Sequence, residues 1–173
     1  MKEYLINPIF RKLSNLAEDT KDEIYVIGGF VRDAFLQRIS KDIDILVVGN
    51  GIKFAEAAGK VLNAKVSVFK NFGTAMLRDG ELEIEFVGAR KESYRTESRK
   101  PIVENGTLED DQKRRDFTIN AMAFGLNKSN FGQLLDPFGG IKDIGKRLIR
   151  TTTICSFEKF KSLPLYNKYS LTC

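Results

Sequence analysis

Along the first half of this chain, short β-rich apolar runs alternate with segments of helical period, and that alternation constrains the fold more than any other feature. Pro8 to Ala17 carries Ile9, Leu13 and Leu16 at helical spacing and predicts an amphipathic helix. Ile24-Tyr25-Val26-Ile27 is a strand-like run that ends at Gly28-Gly29. Phe30, Val31, Ala34, Phe35 and Leu36 then recur as one face of a second helix. Ile43 to Val48 reads as a strand stopping at Gly49-Asn50-Gly51, Ile52 to Leu62 as a helix, and Lys65 to Phe69 as a strand. Thr74 to Leu77 and Glu81 to Val87 predict a hairpin across Arg78-Asp79-Gly80, because Asp-Gly favours tight hairpin turns. Alternation followed by hairpins argues for a mixed α/β (α+β) fold, a sheet with helices packed on one side.

Past the hairpin the pattern weakens. Arg90 to Gly106 is charged, broken by Pro101, and predicts a mobile loop. Thr118 to Phe124 fits strand or helix equally. Asp136-Pro137-Phe138-Gly139-Gly140 predicts a turn, and Leu148-Ile149 a last short strand. At 173 residues the chain suits one domain, expected over residues 1–150, with 151–173 as a divergent extension.

Composition narrows the chemistry. There is no histidine, so no Ser-His-Asp or Cys-His site can be built from this sequence. Cys155 and Cys173 are the two cysteines, too few for a disulfide framework, and a reducing cytoplasm is the natural expectation. No apolar run approaches the ~20 residues of a membrane helix. Met1-Lys2-Glu3-Tyr4 lacks the apolar core of a signal peptide. A metal would have to be held by carboxylates, which favours Mg²⁺ or Mn²⁺. The formal net charge of +5 is a weak pointer to an anionic partner.

Three clusters could carry chemistry. In Asp42-Ile43-Asp44 the strand period sends both carboxylates to one face, roughly 7 Å apart along the chain, with Ile43 toward the core. They repel unless a cation lies between them; two solvated acids at a strand edge is the plain alternative. Glu81, Glu83 and Glu85 alternate with Leu82, Ile84 and Phe86, and one of them beside the aspartates would complete a three-carboxylate cradle for phosphoryl transfer. Gly28-Gly29 opens a helix bearing Arg32 and Asp33, a turn that admits a phosphate closely or merely joins strand to helix. It is neither a G-x-G-x-x-G fingerprint nor a P-loop, which sets aside a dinucleotide-binding fold. Finally, Glu109-Asp110-Asp111 precedes Lys113-Arg114-Arg115-Asp116, and this dense alternation predicts an ion-pair network that aims an arginine or braces a helix.

Taken in order, Gly28-Gly29-Phe30-Val31-Arg32-Asp33, Asp42-Ile43-Asp44, Glu85, Arg114-Arg115-Asp116-Phe117-Thr118-Ile119-Asn120-Ala121 and Asp136-Pro137-Phe138-Gly139-Gly140 resemble the bacterial-type (class II) tRNA nucleotidyltransferase and poly(A) polymerase family, the CCA-adding enzymes and their relatives. The likeness runs from about residue 22 to residue 150. It implies a polymerase-β-type nucleotidyltransferase head with a mixed, mostly antiparallel sheet. It further implies that Asp42 and Asp44 bind two Mg²⁺ ions and that Glu85 is the third carboxylate. Gly28, Gly29, Arg32, Asp33, Arg115, Asp116 and Asn120 would form the nucleotide site. CTP and ATP would be added to the 3′ end of tRNA with release of pyrophosphate. The family continues with a neck bearing an E-D-x-x-R motif, and residues 151–173 do not align with it. The expectation is therefore a head domain alone, with weakened base selection and tRNA affinity. A poly(A) polymerase head, or a nucleotide-binding module inactive without its neck, are the alternatives.

Overall fold

The computed structural model describes residues 2–93 and 102–152. A 3₁₀ turn at Lys2–Leu5 leads into helix α1, Pro8–Thr20. The Asn7 side chain accepts the Ile9 N–H at 3.0 Å, and Pro8 opens the first turn, where its missing donor costs nothing. Strand β1 (Glu23–Ile27), helix α2 (Gly29–Phe35), β2 (Asp42–Val48), α3 (Gly51–Leu62) and β3 (Val66–Phe69) follow as the alternation predicts. β4 (Thr74–Asp79) and β5 (Leu82–Gly88) form the predicted hairpin, with Gly80 at φ 62° in its turn.

These strands belong to a seven-stranded sheet of order β3-β4-β5-β2-β1-β8-β9, where β8 is Ala123–Gly125 and β9 Leu134–Leu135. Every neighbouring pair is antiparallel except β2 and β5, which run parallel. One face is covered by α1, α2 and α3. There Ile24, Val26, Ile43, Ile45, Val47, Ile84 and Phe86 pack with Phe10, Leu13, Val31 and Phe54, all almost wholly buried. Each such side chain contributes roughly 1.5–3 kcal/mol by leaving water. This burial fixes the register, since a one-residue slip of β2 would put Asp42 and Asp44 into the core.

The second half departs from the sequence expectations. Arg90 to Gly106 is not a loop throughout: β6 (Arg90–Ser93) and β7 (Ile102–Asn105) pair antiparallel in a separate ribbon, and residues 94–101 lie outside the described residues. Backbone pairing at its ends offsets a composition that reads as loop. Helix α4 (Leu108–Arg114) begins with a capping box in which Thr107 and Asp110 bond each other's backbone N–H groups. It covers a smaller cluster of Tyr25, Ile27, Leu46, Ala89 and Ala123 on the sheet's other face. Thr118–Asn120 is a 3₁₀ turn, so the ambiguous stretch before Phe124 divides between turn and strand. Asp136 caps α5 (Gly140–Lys146) through the N–H groups of Gly140 and Ile141. Leu148-Ile149 is not a strand. The chain there serves as a brace instead: Thr118 N–H donates to the Arg150 carbonyl at 2.9 Å, and Phe117 bridges Thr151. The expectations for Cys155, Cys173 and the rest of the extension past Thr152 fall outside the described residues.

Candidate active site

The parallel pairing of β2 with β5 sets the geometry. Asp42 lies opposite Glu83 and Asp44 opposite Glu85. Because Ile43, Ile45, Ile84 and Phe86 enter the helix-covered core, the acids point to the other face. The glutamates at 81, 83 and 85 separate cleanly, Glu81 in the hairpin turn and the other two on β5. Glu81 pairs with Lys41 at 2.8 Å in the open, and Glu83 pairs with Arg78. Glu85 has no ion pair or hydrogen bond among the described residues, and neither do the carboxylates of Asp42 and Asp44. These three acids therefore share a face with their lone pairs free.

Asp44 is the electrostatic centre of the group. Burial pushes its carboxyl above the usual carboxylate range; the Arg115 guanidinium pulls it down, while Glu85, Asp42 and Asp111 push it up. The acids are not closed into a cage: among the described residues no three acidic side chains are assembled to hold a metal ion. Like charges with nothing between them have no reason to converge. Their free oxygens and shared face nonetheless fit a hard cation, which takes oxygen donors.

On the other side of Asp44 the turn between β1 and α2 comes close. Gly28 has φ 72°, and a Cβ there would lie 3.2 Å from both Arg115 Nη1 and Asp44 Oδ2. Only glycine combines that backbone with that gap. A Cβ on Gly29 would meet Arg32 Nη2 at 3.7 Å. Arg32 donates through Nε to Asp33 at 2.9 Å and through Nη1 to Asn120 Oδ1 at 2.9 Å. Arg115 donates through Nη1 to the Asn120 backbone carbonyl at 3.4 Å. Asn120 thus ties both arginines together, one through its side chain and one through its main chain.

The base of this arrangement is Asp111, whose side chain is 0% exposed. One oxygen accepts from Arg114 and the other from Arg115 at 2.9 Å. Gln112 beside it donates to the Ala121 carbonyl at 2.7 Å and seats α4 on the loop that carries Asn120. A second buried acid, Asp143, accepts from Thr118 Oγ1 at 2.6 Å and from Arg150 at 2.9 Å, fixing the other end of that loop. Asp116 stands apart: it is exposed, and its carboxylate accepts the N–H of Phe117. The structure therefore gathers Asp42, Asp44, Glu85, Gly28, Gly29, Arg32, Asp33, Arg115 and Asn120, and leaves Asp116 outside the network. Asp111 and Asp143 were not among the predicted site residues. For Asp111 the signal was available, since Arg114 and Arg115 follow it at the i+3 and i+4 spacing of one helix face.

With this geometry in view, the comparisons are specific. Residues 24–150 match the family model of the Poly A polymerase head domain. The A-adding tRNA nucleotidyltransferase of Aquifex aeolicus (strain VF5) is 42% identical over 133 residues, 77% of this chain and 16% of its own length. The CC-adding tRNA nucleotidyltransferase of Deinococcus radiodurans is 37% identical over 131 residues, 74% of this chain and 34% of its own length. A solved tRNA nucleotidyltransferase complexed with a primer tRNA and an incoming ATP analog superposes with a TM-score of 0.74 at 37% identity, covering 85% of this chain and 40% of that one. The fold is shared with this solved tRNA nucleotidyltransferase. This chain belongs to the Poly A polymerase head domain family, and it spans less than half the length of each of these relatives.

Proposed function

We propose that this chain is the catalytic head of an RNA 3′-end nucleotidyltransferase, transferring NMP from ATP or CTP to the 3′ hydroxyl of tRNA with release of pyrophosphate. The observation that carries this reading is the β2–β5 register. It sets three unpartnered carboxylates beside a glycine turn backed by two braced arginines.

Arg32 and Arg115 bind the triphosphate, and Asn120 keeps their guanidinium groups oriented toward it. Gly28 lets the phosphates approach the backbone without a side chain in the way. Asp42 and Asp44 would hold Mg²⁺, with Glu85 as the third carboxylate, and a cation held there would lower the pKa of the attacking hydroxyl and offset the charge of the transferring phosphate. The 3′ oxygen attacks the α-phosphorus in line, a new O–P bond forms, and the bond to the departing pyrophosphate breaks. Asp33 holds Arg32 against recoil as that charge leaves. No step calls for histidine.

The test is incorporation of labelled ATP and CTP onto tRNA lacking its 3′ end, by this chain alone, with Mg²⁺ or with EDTA. Incorporation that needs Mg²⁺ and disappears in Asp42→Ala supports the reading. Neither incorporation nor Mg²⁺-dependent nucleotide binding sinks it. The cytoplasm is the compartment we infer for this activity, in line with the substrate.

A further inference from the structure

Gln112 on α4 bonds neither the carboxylates nor the arginines, yet it is only 3% exposed, a rare place for a glutamine. Its amide nitrogen donates to the Ala121 carbonyl at 2.7 Å and to the Leu135 carbonyl at 3.4 Å. Both N–H groups are thereby used, and the reverse orientation of the amide would set oxygen against two carbonyl oxygens. The amide oxygen has no partner among the described residues. Gln112 also lines a cavity of about 630 Å³ with Leu108, Glu109, Leu135 and Asp136, which leaves room for water on that side. One side chain thus joins three pieces of the molecule. These are helix α4, the 3₁₀ turn Thr118–Asn120 through the residue that follows it, and strand β9.

Two of these pieces carry the arginines of the site. Arg115 directly follows α4, and Arg32 is tied to the 3₁₀ turn by Asn120 Oδ1 at 2.9 Å. The span between the two guanidinium groups therefore depends on how far α4 stands from Asn120. Asp111 cannot set that distance, because it lies on α4 and moves with Arg115. Arg115 Nη1 reaches the Asn120 carbonyl at 3.4 Å, longer than N–H···O bonds usually are, whereas Gln112 reaches the next carbonyl at 2.7 Å. A phosphate that draws Arg115 competes with the long bond and leaves the short, buried one intact. From these lengths and this burial we infer that Gln112 is a positioning residue for the nucleotide's triphosphate. Its amide holds α4 against the Asn120 turn at the distance at which Arg32 and Arg115 engage one triphosphate together. It acts through the arginines and touches no reacting atom. The inference rests on the nucleotidyltransferase reading and extends it to the residue that sets the span of its phosphate-binding pair.

The test uses the full chain and Gln112→Met, which keeps the length and bulk of the side chain but has no N–H to donate. Titration calorimetry follows binding of inorganic triphosphate and, separately, of Mn²⁺. Triphosphate should bind at least about tenfold more weakly in the variant, the loss of one charge-assisted hydrogen bond. Mn²⁺ binding should stay as it is, because the carboxylates lie on other strands. NMR of the Arg32 and Arg115 Nε–H groups, recorded without ligand, gives a second readout: both signals should move toward those of free arginine. Gln112→Glu covers the case in which the methionine variant does not fold. A protonated glutamate still donates one bond to the Ala121 carbonyl and an ionised one donates none, so its arginine signals should match the unmodified chain at acid pH and depart reversibly as pH rises. Unchanged triphosphate affinity with unmoved arginine signals overturns the inference. Loss of triphosphate and Mn²⁺ binding together overturns it too, since Gln112 would then support the fold at large. An unmodified chain that binds no triphosphate indicts the underlying reading instead, while the arginine signals still decide whether Gln112 positions the pair.

Discussion

Asp44 separates two halves of the site that are built on opposite principles. On the β1 side every charged group is held: Arg32 by Asp33 and Asn120, Arg115 by Asp111 and Asn120, Asp111 by two guanidinium groups. On the β5 side Asp42, Asp44 and Glu85 have no hydrogen bond or ion pair among the described residues, and Arg115 is the one cation that acts electrostatically on Asp44. On the proposed reading, the arginines are set in place before substrate arrives, so little reorganisation is needed when phosphate binds. The acids are left in mutual repulsion, which lowers stability but keeps their oxygens free. A protein selected for stability alone would have paired them. The unpartnered charge on this sheet face is, on the same reading, the reacting centre, and the partnered charge frames it.

The contrast predicts opposite responses to mutation. The largest effect on activity belongs to the unheld side. Asp42→Ala should abolish incorporation, well beyond the roughly 10–100-fold that losing a residue behind a metal ligand costs. Its melting temperature should hold or rise, because a repelling charge is gone. A marked fall in melting temperature would show that Asp42 is a structural acid after all. The largest effect on stability belongs to the held side. Asp111→Ala strands two guanidinium groups and should lower stability by about 3 kcal/mol, the low end for a broken buried pair because Arg114 reaches water. Urea unfolding measures it. Asp111→Asn, which still accepts hydrogen bonds, should recover part of the loss.

A smaller effect tests the boundary itself. Asp44 has its folded-state carboxyl raised above its unfolded value, so the folded state binds the proton more tightly. Stability from this group is therefore greatest at acid pH and falls as pH rises from the unfolded to the folded pKa. Asp44→Asn should remove that slope and be the more stable protein at neutral pH. Arg115→Ala should move the Asp44 midpoint further up, since Arg115 opposes the shift. Carboxyl chemical shifts followed by NMR would give both. A downward shift in Arg115→Ala would mean that Arg115 does not act on Asp44.

What the sequence disclosed follows the same division. β2 was legible because its apolar positions are nearly unbroken, and the Gly28 turn because glycine stops the pattern. α4 was not, because Leu-Glu-Asp-Asp-Gln-Lys-Arg has a single apolar residue. Its helix depends on the Thr107 cap and on Asp111 and Gln112 being buried, which polar residues do not announce. α5 contains two glycines and depends on Asp136 as its cap. β6 and β7 are set by pairing with each other, a non-local property that composition does not carry. At the site, the strand period placed Asp42 and Asp44 on one face, as the β2–β5 pairing has them, while Arg115 came only from the family resemblance. Asp116 was named from the resemblance of Arg114-Arg115-Asp116 to the family motif, whereas the structure shows Asp111 holding both arginines from three and four positions earlier on one helix face.

The glutamates at 81, 83 and 85, the first in the hairpin turn and the other two on β5, offer the smallest and sharpest comparison. Glu81→Gln breaks an exposed pair with Lys41, more than half of each side chain being in water. Such pairs contribute about 0–1 kcal/mol, so unfolding should barely change and incorporation not at all. Glu83→Gln frees Arg78, also exposed, with an effect of the same order on stability. Glu85→Gln removes the one glutamate of the three that has no partner and faces Asp44, and incorporation should collapse while the melting temperature stays level or rises. All three variants measured side by side set partner against register as the cause. If Glu81→Gln or Glu83→Gln costs as much activity as Glu85→Gln, the strand's charge as a whole matters and the β2–β5 register is not what selects the third carboxylate.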